Sequence, residues 1–467
     1  MIASETQNEK QKRMTTSPVE KLILKLAAPT IISMLVTTFY NMADTFFVGK
    51  LENTSATGAV GVVFSLMTII NAVGFYFGHG SGNYISRKLG AGDVSDAETM
   101  ASCGFFWAII GGATITALGM ILINPLAKVL GATDTIMPFA VKYMRIILIG
   151  APYMCASIVL NNQLRYQGNA FFAMLGLVTG AVLNIGLDPL FIFVFDLGVS
   201  GAAWATIISQ FISFVILWIG CRKSDNLKIK LKNFTFRAKY FLQIARGGLP
   251  SLLRQSLVSL AMMTLNNVIG VYGDAAVAAM AIVTRITAFL NSATLGFGQG
   301  FQPVCGFNYG AEKYDRVKKA YLFCLQFGTV FLLVSSALFF IIAPQLITLF
   351  QSSDAEVIRM GTVILRCHLT TLPLMALITL SNMTFQTIGL VGRATLLASS
   401  RQGLFFMPAI LLLPLAFGIN GVYVSQCVAD VCAASLALPL IINEFRLMNK
   451  ALREKQAEKE LHINETA

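Results

Sequence analysis

The sequence predicts an all-α integral membrane protein in which twelve transmembrane helices form two six-helix lobes. Composition, the length of the apolar runs and an internal repeat each support this fold class. Of the 467 residues, 55% are hydrophobic and only 12% are charged. A soluble domain has roughly 25% charged residues, which it needs to cover its surface. This shortage excludes a cytosolic enzyme, a disordered chain and a nucleic-acid-binding protein, although the formal net charge is +12.

Twelve apolar segments, each bounded by charged residues, Gly or Pro, are long enough to cross a membrane as helices. About 20 helical residues span the hydrocarbon core, and segments of this length without alternation are not barrel strands. The first segment begins near Leu22, behind a polar stretch and without an A-x-A site, so we expect a span and not a cleaved signal peptide. The segments cover roughly residues 22–48, 58–86, 98–123, 138–161, 168–194, 199–220, 241–270, 276–304, 318–342, 357–386, 393–417 and 419–443.

Lys and Arg residues are distributed unevenly between the two sides of the predicted membrane. If the N-terminus is cytoplasmic, 27 of the 35 fall in segments on the cytoplasmic side. Positive residues accumulate in cytoplasmic loops, so we expect both termini in the cytoplasm and the protein in the bacterial plasma membrane. The basic stretch 222–239 is then a solvated cytoplasmic connector that faces lipid headgroups, and a nucleic-acid partner is not expected.

The chain repeats itself at an offset of 220 to 221 residues. Six spans per repeat is an even number, so both halves cross the membrane in the same direction, related by a pseudo-two-fold axis along its normal. Rocking of one lobe on the other then gives alternating access. The predicted parts are an N-terminal tail (1–20), an N-lobe (21–220), a basic linker (221–240), a C-lobe (241–445) and a charged C-terminal tail (446–467). The repeat pairs Phe77-Gly78-His79-Gly80 with Phe297-Gly298-Gln299-Gly300, Gly90-Ala91 with Gly310-Ala311, Asn161 with Asn382, and Gly168 with Gly389.

Three acidic residues, Asp44, Asp188 and Asp430, lie inside predicted spans. Ionisable groups are costly there and usually functional. Their repeat partners are not acidic, so packing alone does not account for them. Asn184 and Asp188 share one helix face at i and i+4, and Thr206 lies at a similar depth. We therefore expect Asp44, Asn184, Asp188 and Thr206 to form a polar cluster that binds a proton or a small cation, with an outer-interface role for Asp44 as the alternative.

Two prolines mark places where these helices are expected to bend. Pro189 directly follows Asp188, and a proline both removes an amide donor and disfavours helical geometry in the residue before it. The sequence therefore predicts an irregular helix at the acid. Pro29 in the first span is a second candidate, and for each proline a static packing kink is the alternative.

Arg254 and Arg285 lie in the seventh and eighth spans without acidic neighbours in those helices, and Asp430 is a possible partner. All three are candidate cavity or substrate contacts. The eight cysteines lack CxxC spacing and the three histidines are far apart, so we expect buried thiols and no metal site. No HExxH, Ser/His/Asp or P-loop pattern occurs, so we expect neither catalytic residues nor an ATP-driven pump.

Three sequence elements, together with the duplicated halves, resemble the multidrug and toxic compound extrusion (MATE) family, and most of all its MepA-type bacterial branch. They are PTIISMLVTTFYNMADTFFVG (29–49), LGAG (89–92) and NIGLDP (184–189), and the resemblance covers about residues 20–450. It implies a V-shaped pair of lobes and drug/cation antiport. The positions that it implies for the N-lobe cation site are Asp44, Asn184, Asp188 and Thr206, with weaker matches at Tyr40, Asn161 and Asn162 as substrate or cavity contacts.

The expected function is secondary active export of amphipathic, mostly cationic compounds by antiport with H⁺ or Na⁺. The resemblance implies that sodium-coupled relatives carry acids in the seventh and tenth helices, and the cores of these spans carry none here, so coupling is expected to run through the N-lobe. The choice between H⁺ and Na⁺ stays open, and we favour H⁺. We expect no cofactor beyond the coupling ion, small molecules and the lipid bilayer as partners, and a functional monomer. A flippase of lipid-linked precursors or polysaccharide in the same superfamily is the alternative, and a membrane receptor or enzyme is a more distant one.

Overall fold

The computed structural model describes residues 6–49, 54–222, 226–351 and 354–466. Within these ranges, the side chains of residues 41, 42, 44–46, 48, 49, 54, 56, 57 and 459–466 are not described. Every regular element in this part of the chain is helical. The α-helices are α1 (Gln7–Thr16), α2 (Val19–Gly49), α3 (Thr54–Gly90), α4 (Val94–Ile121), α5 (Ile123–Val129), α6 (Met137–Tyr166), α7 (Ala170–Pro189), α8 (Gly198–Arg222), α9 (Ala238–Gly270), α10 (Asp274–Gly310), α11 (Tyr314–Ile341), α12 (Ala343–Phe350), α13 (Ala355–Thr371), α14 (Leu374–Ile388), α15 (Val391–Ser399), α16 (Met407–Phe417) and α17 (Ile419–Thr466).

Twelve helical units of the described chain are long enough to cross a membrane, six in each half. Ten are long and apolar enough, and the pair α13–α14, bent by 53° at its break, adds one more span. The twelfth, α9, has 33 residues but carries Arg246 and Arg254, which lower its hydropathy. The N-lobe spans are α2, α3, α4, α6, α7 and α8, and α2 runs unbroken through Pro29. The C-lobe spans are α9, α10, α11, α13–α14, α15–α16 and α17, which confirms the predicted twelve-helix architecture.

The fifth span of each lobe is irregular beside a proline. α7 ends at Pro189 and continues as a π-helical segment, Leu190–Val194. In the C-lobe, the π-helical segment Ser400–Phe406 joins α15 to α16 just before Pro408. A proline cannot donate to the helical hydrogen-bond ladder, and a wider π turn accommodates the break. The irregularity that the sequence predicts in this helix is therefore present, but it begins at Leu190, and Asp188 itself lies within α7.

Equivalent hydrogen bonds hold the fourth span of each lobe against the fifth. The side-chain amide of Asn161 in α6 donates to the carbonyl oxygen of Ala173 in α7 at 2.8 Å. The amide of Asn382 in α14 donates to the carbonyl oxygen of Ala394 in α15 at 2.7 Å. Both residues of the second pair lie 221 positions after those of the first. The two lobes thus repeat the same packing contact, as the internal duplication predicts.

The two lobes contact each other through glycines at the end of the molecule that bears the N-terminal helix. Gly80 in α3 lies against the backbone of Ile244 in α9, and Gly300 in α10 lies against the backbone of Ala27 in α2. A Cβ atom at either glycine would overlap the opposite backbone, so only glycine permits this approach. The pairing of α3 with α9 and of α2 with α10 again follows the repeat.

Hydrogen bonds between α2 and α10 extend this contact to the middle of the helices. The hydroxyl of Thr30 donates to the carbonyl oxygen of Gly296 at 2.6 Å, and the hydroxyls of Thr38 and Ser292 are 3.0 Å apart. Among the described residues, the hydrogen bonds that join the lobes lie between this level and the end with the N-terminal helix. The described contacts therefore close the lobes together at that end.

The N-terminal helix α1 bridges the lobes at their closed end. The side chain of Gln11 donates to the carbonyl oxygen of Gly90 in the N-lobe at 2.8 Å. On the other side, Asn308 of α10 donates to the carbonyl oxygen of Met14 at 3.1 Å. Residues 1–20 are predicted from the sequence to be a tail, but residues 7–16 form a packed helix. Their polar composition gives no sign of this packing, because backbone carbonyls make many of the contacts.

The described part of the linker, residues 226–237, is docked on the N-lobe. The amide of Leu227 donates to the side chain of Gln167 at 2.8 Å, and the amide of Lys230 donates to Ser102 at 3.2 Å. Asn226 and Leu227 are buried. The expected solvated connector is therefore anchored to the lobe that precedes it.

Candidate coupling site and substrate cavities

A buried polar cluster lies where α7 and α8 meet in the N-lobe. The side chains of Asn184, Asp188 and Thr206 are each at most 1% exposed. Asn184 Nδ2 donates to Thr206 Oγ1 at 3.4 Å, and the Thr206 hydroxyl donates to the carbonyl oxygen of Ala202 at 2.9 Å. The amide oxygen of Asn184 is buried and accepts no hydrogen bond from the described atoms. One turn further along α7 lies the Asp188 carboxylate, so two oxygen-bearing groups share one face of the helix.

Asp44 is the fourth member of the predicted cluster. Its backbone belongs to α2, which packs against α7. Its side chain lies outside the described part of the structure. The predicted pairing of Asp44 with Asp188 therefore stays a prediction.

A cavity of about 190 Å³ lies inside the N-lobe beside this cluster. The predicted contacts Tyr40, Asn161 and Asn162 all line it. Ala181 of α7 and Gln210 of α8 also line it, one helical turn away from Asn184 and Thr206 respectively. No described residue on its wall is charged. The cluster thus lies one turn beyond a neutral, partly polar chamber.

A larger cavity of about 430 Å³ lies in the C-lobe. Its wall contains three charged side chains, Arg254, Arg401 and Asp430. Arg401 Nε donates to Asp430 Oδ1 at 2.7 Å, and Asp430 also accepts from Gln426 at 2.8 Å and from Thr371 at 3.1 Å. Arg401 therefore offsets the charge of Asp430, and two neutral side chains donate its other hydrogen bonds.

The arginines singled out from sequence are not the partners of Asp430. Arg254 Nη1 donates to Asn382 Oδ1 at 3.3 Å, and its side chain is partly exposed to the cavity. Arg285 is exposed and lines neither cavity. The partner is Arg401, one of the 27 Lys and Arg residues assigned to the cytoplasmic side, although it lies within the predicted span 393–417. The π-helical segment carries it into the span, and its proximity to Pro408 was the available signal.

A protein-family model matches this chain in two regions, one in each lobe. A family model for MatE matches residues 29–190 and again residues 250–411, together more than half of the chain. The two matches are displaced by the same 221 residues as the repeat. The chain belongs to the MatE family. The predicted resemblance is therefore confirmed for both lobes of this MATE chain.

Individual relatives cover nearly the whole MATE chain. Multidrug export protein MepA of Staphylococcus aureus (strain MSSA476) is 27% identical over 428 residues, which are 91% of this chain and 94% of that protein. A crystal structure of MATE in complex with MaL6 gives a TM-score of 0.89 at 29% identity, over 94% of this chain and 99% of that one. An outward-facing multidrug resistance MATE family transporter of the MOP superfamily gives 0.88 at 29% identity, over 94% and 98%. These relatives are transporters, and this chain is a multi-pass membrane protein of the same two-lobe fold.

A buried hydrogen-bond network also crosses the interface between the lobes of this MATE protein. It was not predicted from the sequence. His79 of α3 contacts Arg165 of the N-lobe through Nε2 at 3.4 Å and Ser251 of the C-lobe through Nδ1 at 2.9 Å. Ser251 in turn accepts from Gln386 at 2.7 Å. The pairing of FGHG with FGQG in the repeat, where only the first copy has a histidine, was the signal for an asymmetric role. This hydrogen-bond network joins α3 of the N-lobe to α9 and α14 of the C-lobe.

Proposed function

We propose that this protein exports amphipathic, mostly cationic compounds across the bacterial plasma membrane by antiport with H⁺. The observation that carries the proposal is the buried Asn184–Asp188–Thr206 cluster, one turn from the N-lobe cavity. A carboxyl group at that depth can bind a proton from one side and release it to the other. Protonation removes the cost of holding a charge in a low-dielectric site.

The position of the contacts between the lobes supports the direction of transport. The lobes are joined at the end that carries α1 and the docked linker, and the Lys and Arg bias assigns this end to the cytoplasm. Contact at the cytoplasmic end is what an outward-open state requires, and in that state bound compound leaves and a proton enters. Separation of the lobes at the closed end, with rupture of the His79–Ser251 contact, gives the inward-open state.

Proton coupling is proposed over sodium coupling because of the ligands that the cluster offers. The Thr206 hydroxyl both donates to Ala202 and accepts from Asn184, so the described side chains of the cluster bring together only three oxygen-bearing groups, those of Asn184, Asp188 and Thr206. A proton needs only one such oxygen. Na⁺ needs several more, and the π-helical segment after Pro189 would have to provide them from its carbonyls.

A flippase is the second candidate, and Arg254 is the observation that favours it. A lipid-linked precursor carries phosphate groups, which an arginine in the C-lobe cavity could bind. Among the described residues of the cavity wall, Arg254 is the one arginine without a carboxylate partner, which suits a single anionic group better than a pyrophosphate.

The test is ethidium efflux from proteoliposomes under separately imposed proton and sodium gradients. We expect efflux that responds to the proton gradient and not to the sodium gradient. Efflux driven by sodium alone would transfer the coupling to Na⁺. Efflux that is indifferent to both gradients, together with movement of a fluorescent lipid-linked precursor, would replace the exporter by the flippase.

A further inference from the structure

Positive charges outnumber negative charges among the described residues that line the C-lobe cavity. Arg401 is paired with Asp430, whose remaining hydrogen bonds come from Gln426 and Thr371. Arg254 donates only to the neutral Asn382, and no carboxylate of the described residues lies within 4.0 Å of it. The cavity therefore carries one positive charge that the described chain does not compensate.

The location of Arg254 makes this charge expensive. The residue lies at the middle of α9, the transmembrane depth at which an ionisable side chain is hardest to accommodate. Its side chain is only partly exposed, and that exposure is to the cavity. A guanidinium in this setting is stabilised most by an anion that enters the cavity, because bidentate pairing with a carboxylate matches its geometry.

The N-lobe shows that the fold does not require this arginine. Pro29 and Pro250 are equivalent in the repeat, and Ser33 and Arg254 each follow four residues later. Ser33 donates to the carbonyl oxygen of Pro29 at 2.9 Å within its own helix. The same helix position thus packs with a small neutral residue in one lobe and with an arginine in the other. The arginine is a feature of the C-lobe cavity and not of the scaffold.

The remainder of the cavity wall is suited to an apolar ring system. Its volume of about 430 Å³ lies in the range of drug-sized ligand sites, and Met262, Met280 and Met375 contribute flexible thioether side chains to its wall. We propose that the C-lobe cavity binds zwitterionic amphiphiles, with their carboxylate on Arg254 and their apolar rings against the methionines. This rests on the proposed export function and adds a substrate class to it.

The test compares two dyes that differ only at the carboxyl group. Rhodamine 19 has a free carboxylate, and rhodamine 6G is its ethyl ester and carries only the positive charge. Fluorescence anisotropy with purified protein in nanodiscs of neutral lipid gives the Kd of each dye without any gradient. We expect tighter binding of rhodamine 19, and Arg254→Gln should reduce the ratio of the two affinities by about tenfold or more.

Two variants control for charge and folding. Arg285→Gln removes an exposed arginine that lines neither cavity, and it should keep the ratio of the wild type. Arg254→Lys retains the charge and should recover part of the preference. An Arg254→Gln protein that binds rhodamine 6G but keeps the wild-type ratio overturns the proposal.

A final arm separates a substrate carboxylate from a lipid headgroup. Nanodiscs with increasing phosphatidylglycerol present an anionic phosphate to the same arginine. If phosphatidylglycerol leaves the affinity for rhodamine 19 unchanged, the proposal is supported. If it removes the Arg254-dependent preference for rhodamine 19, Arg254 binds a lipid headgroup and the proposal is overturned. Failure of gradient-driven ethidium efflux would remove the export function, yet the dye-binding ratio would still report on the cavity, so the two failures are distinguishable.

Discussion

The two lobes share one scaffold and differ in the charges that they enclose. Asn161 and Asn382 make the same bond to the following helix, and both fifth spans contain a π-helical segment beside a proline. The cavities do not correspond in this way. Gln210 on the N-lobe wall and Asp430 on the C-lobe wall are 220 residues apart in the repeat, and only the second is charged. Packing is thus repeated in both lobes, while polar chemistry has diverged between them.

This difference fits a division of tasks in the proposed transport cycle. The N-lobe holds an acid in a buried cluster, and no described residue on the neighbouring cavity wall is charged. The C-lobe pairs its acid with Arg401 and leaves Arg254 to face the larger cavity. In the proposed antiport, the N-lobe provides the site that changes protonation and the C-lobe provides a site that accommodates substrate.

The largest effect is expected from the N-lobe acid. Asp188→Asn should abolish gradient-driven efflux, because the amide mimics the protonated state and the exchange cycle cannot close. Asp44→Asn should do the same if Asp44 shares the proton. Ethidium efflux normalised to membrane expression is the measurement. Near-normal efflux in both variants would remove the N-lobe cluster from the account.

The acid of the C-lobe should act on stability and not on coupling. Asp430→Asn leaves Arg401 without its carboxylate, and loss of one partner of a largely buried pair costs about 3 kcal/mol. The double variant Asp430→Asn, Arg401→Gln should recover much of this loss. Thermal unfolding of the purified proteins checks the prediction, and a double variant less stable than either single variant would contradict it.

Close approach of the lobes can be tested within one helix. Gly80→Ala places a Cβ against the Ile244 backbone and should destabilise the closed interface by about 2 kcal/mol, whereas Gly61→Ala in the same helix meets no neighbouring atom. Distances between spin labels on the lobes report the population of the closed state. Equal populations in the two variants would show that glycine packing does not control closure.

The smallest effects are expected from the equivalent asparagines of the two lobes. Asn161→Ala removes one hydrogen bond between neighbouring spans, worth about 1 kcal/mol. Asn382→Ala removes the equivalent bond and also the one that Asn382 accepts from Arg254, so its unfolding midpoint should fall at least as far. A lower unfolding midpoint in both variants would confirm that the packing contact is repeated. A shift confined to Asn161→Ala would instead point to a role in the N-lobe cavity that it lines.

The sequence predicts the scaffold well because apolar length, Lys and Arg bias and the repeat are properties of the chain itself. It also places Asn184, Asp188 and Thr206 together, since helical periodicity and depth are sufficient for residues on adjacent spans. Side-chain contacts between spans that are distant in sequence could not be predicted in this way. The partner of Asp430 depended on the π-helical segment that brings Arg401 inward, and periodicity does not reveal such a segment.

The N-terminal helix was missed for a related reason. Residues 7–16 are polar and give no amphipathic signal, and their contacts with Gly90 and Asn308 involve backbone carbonyls that no side-chain pattern reports. His79 is similar, because its partners Arg165 and Ser251 come from two different lobes. Contacts between elements that are distant in sequence require the tertiary structure.

The central claim is that Asp188 carries the coupling proton while the C-lobe binds substrate. It is tested most directly by the protons released when rhodamine 6G binds to purified protein in a weakly buffered solution, followed with a pH-indicator dye. We predict proton release in the wild type and in Arg285→Gln, whose side chain is exposed and lines neither cavity, and none in Asp188→Asn. Release of as many protons by Asp188→Asn as by the wild type would contradict it.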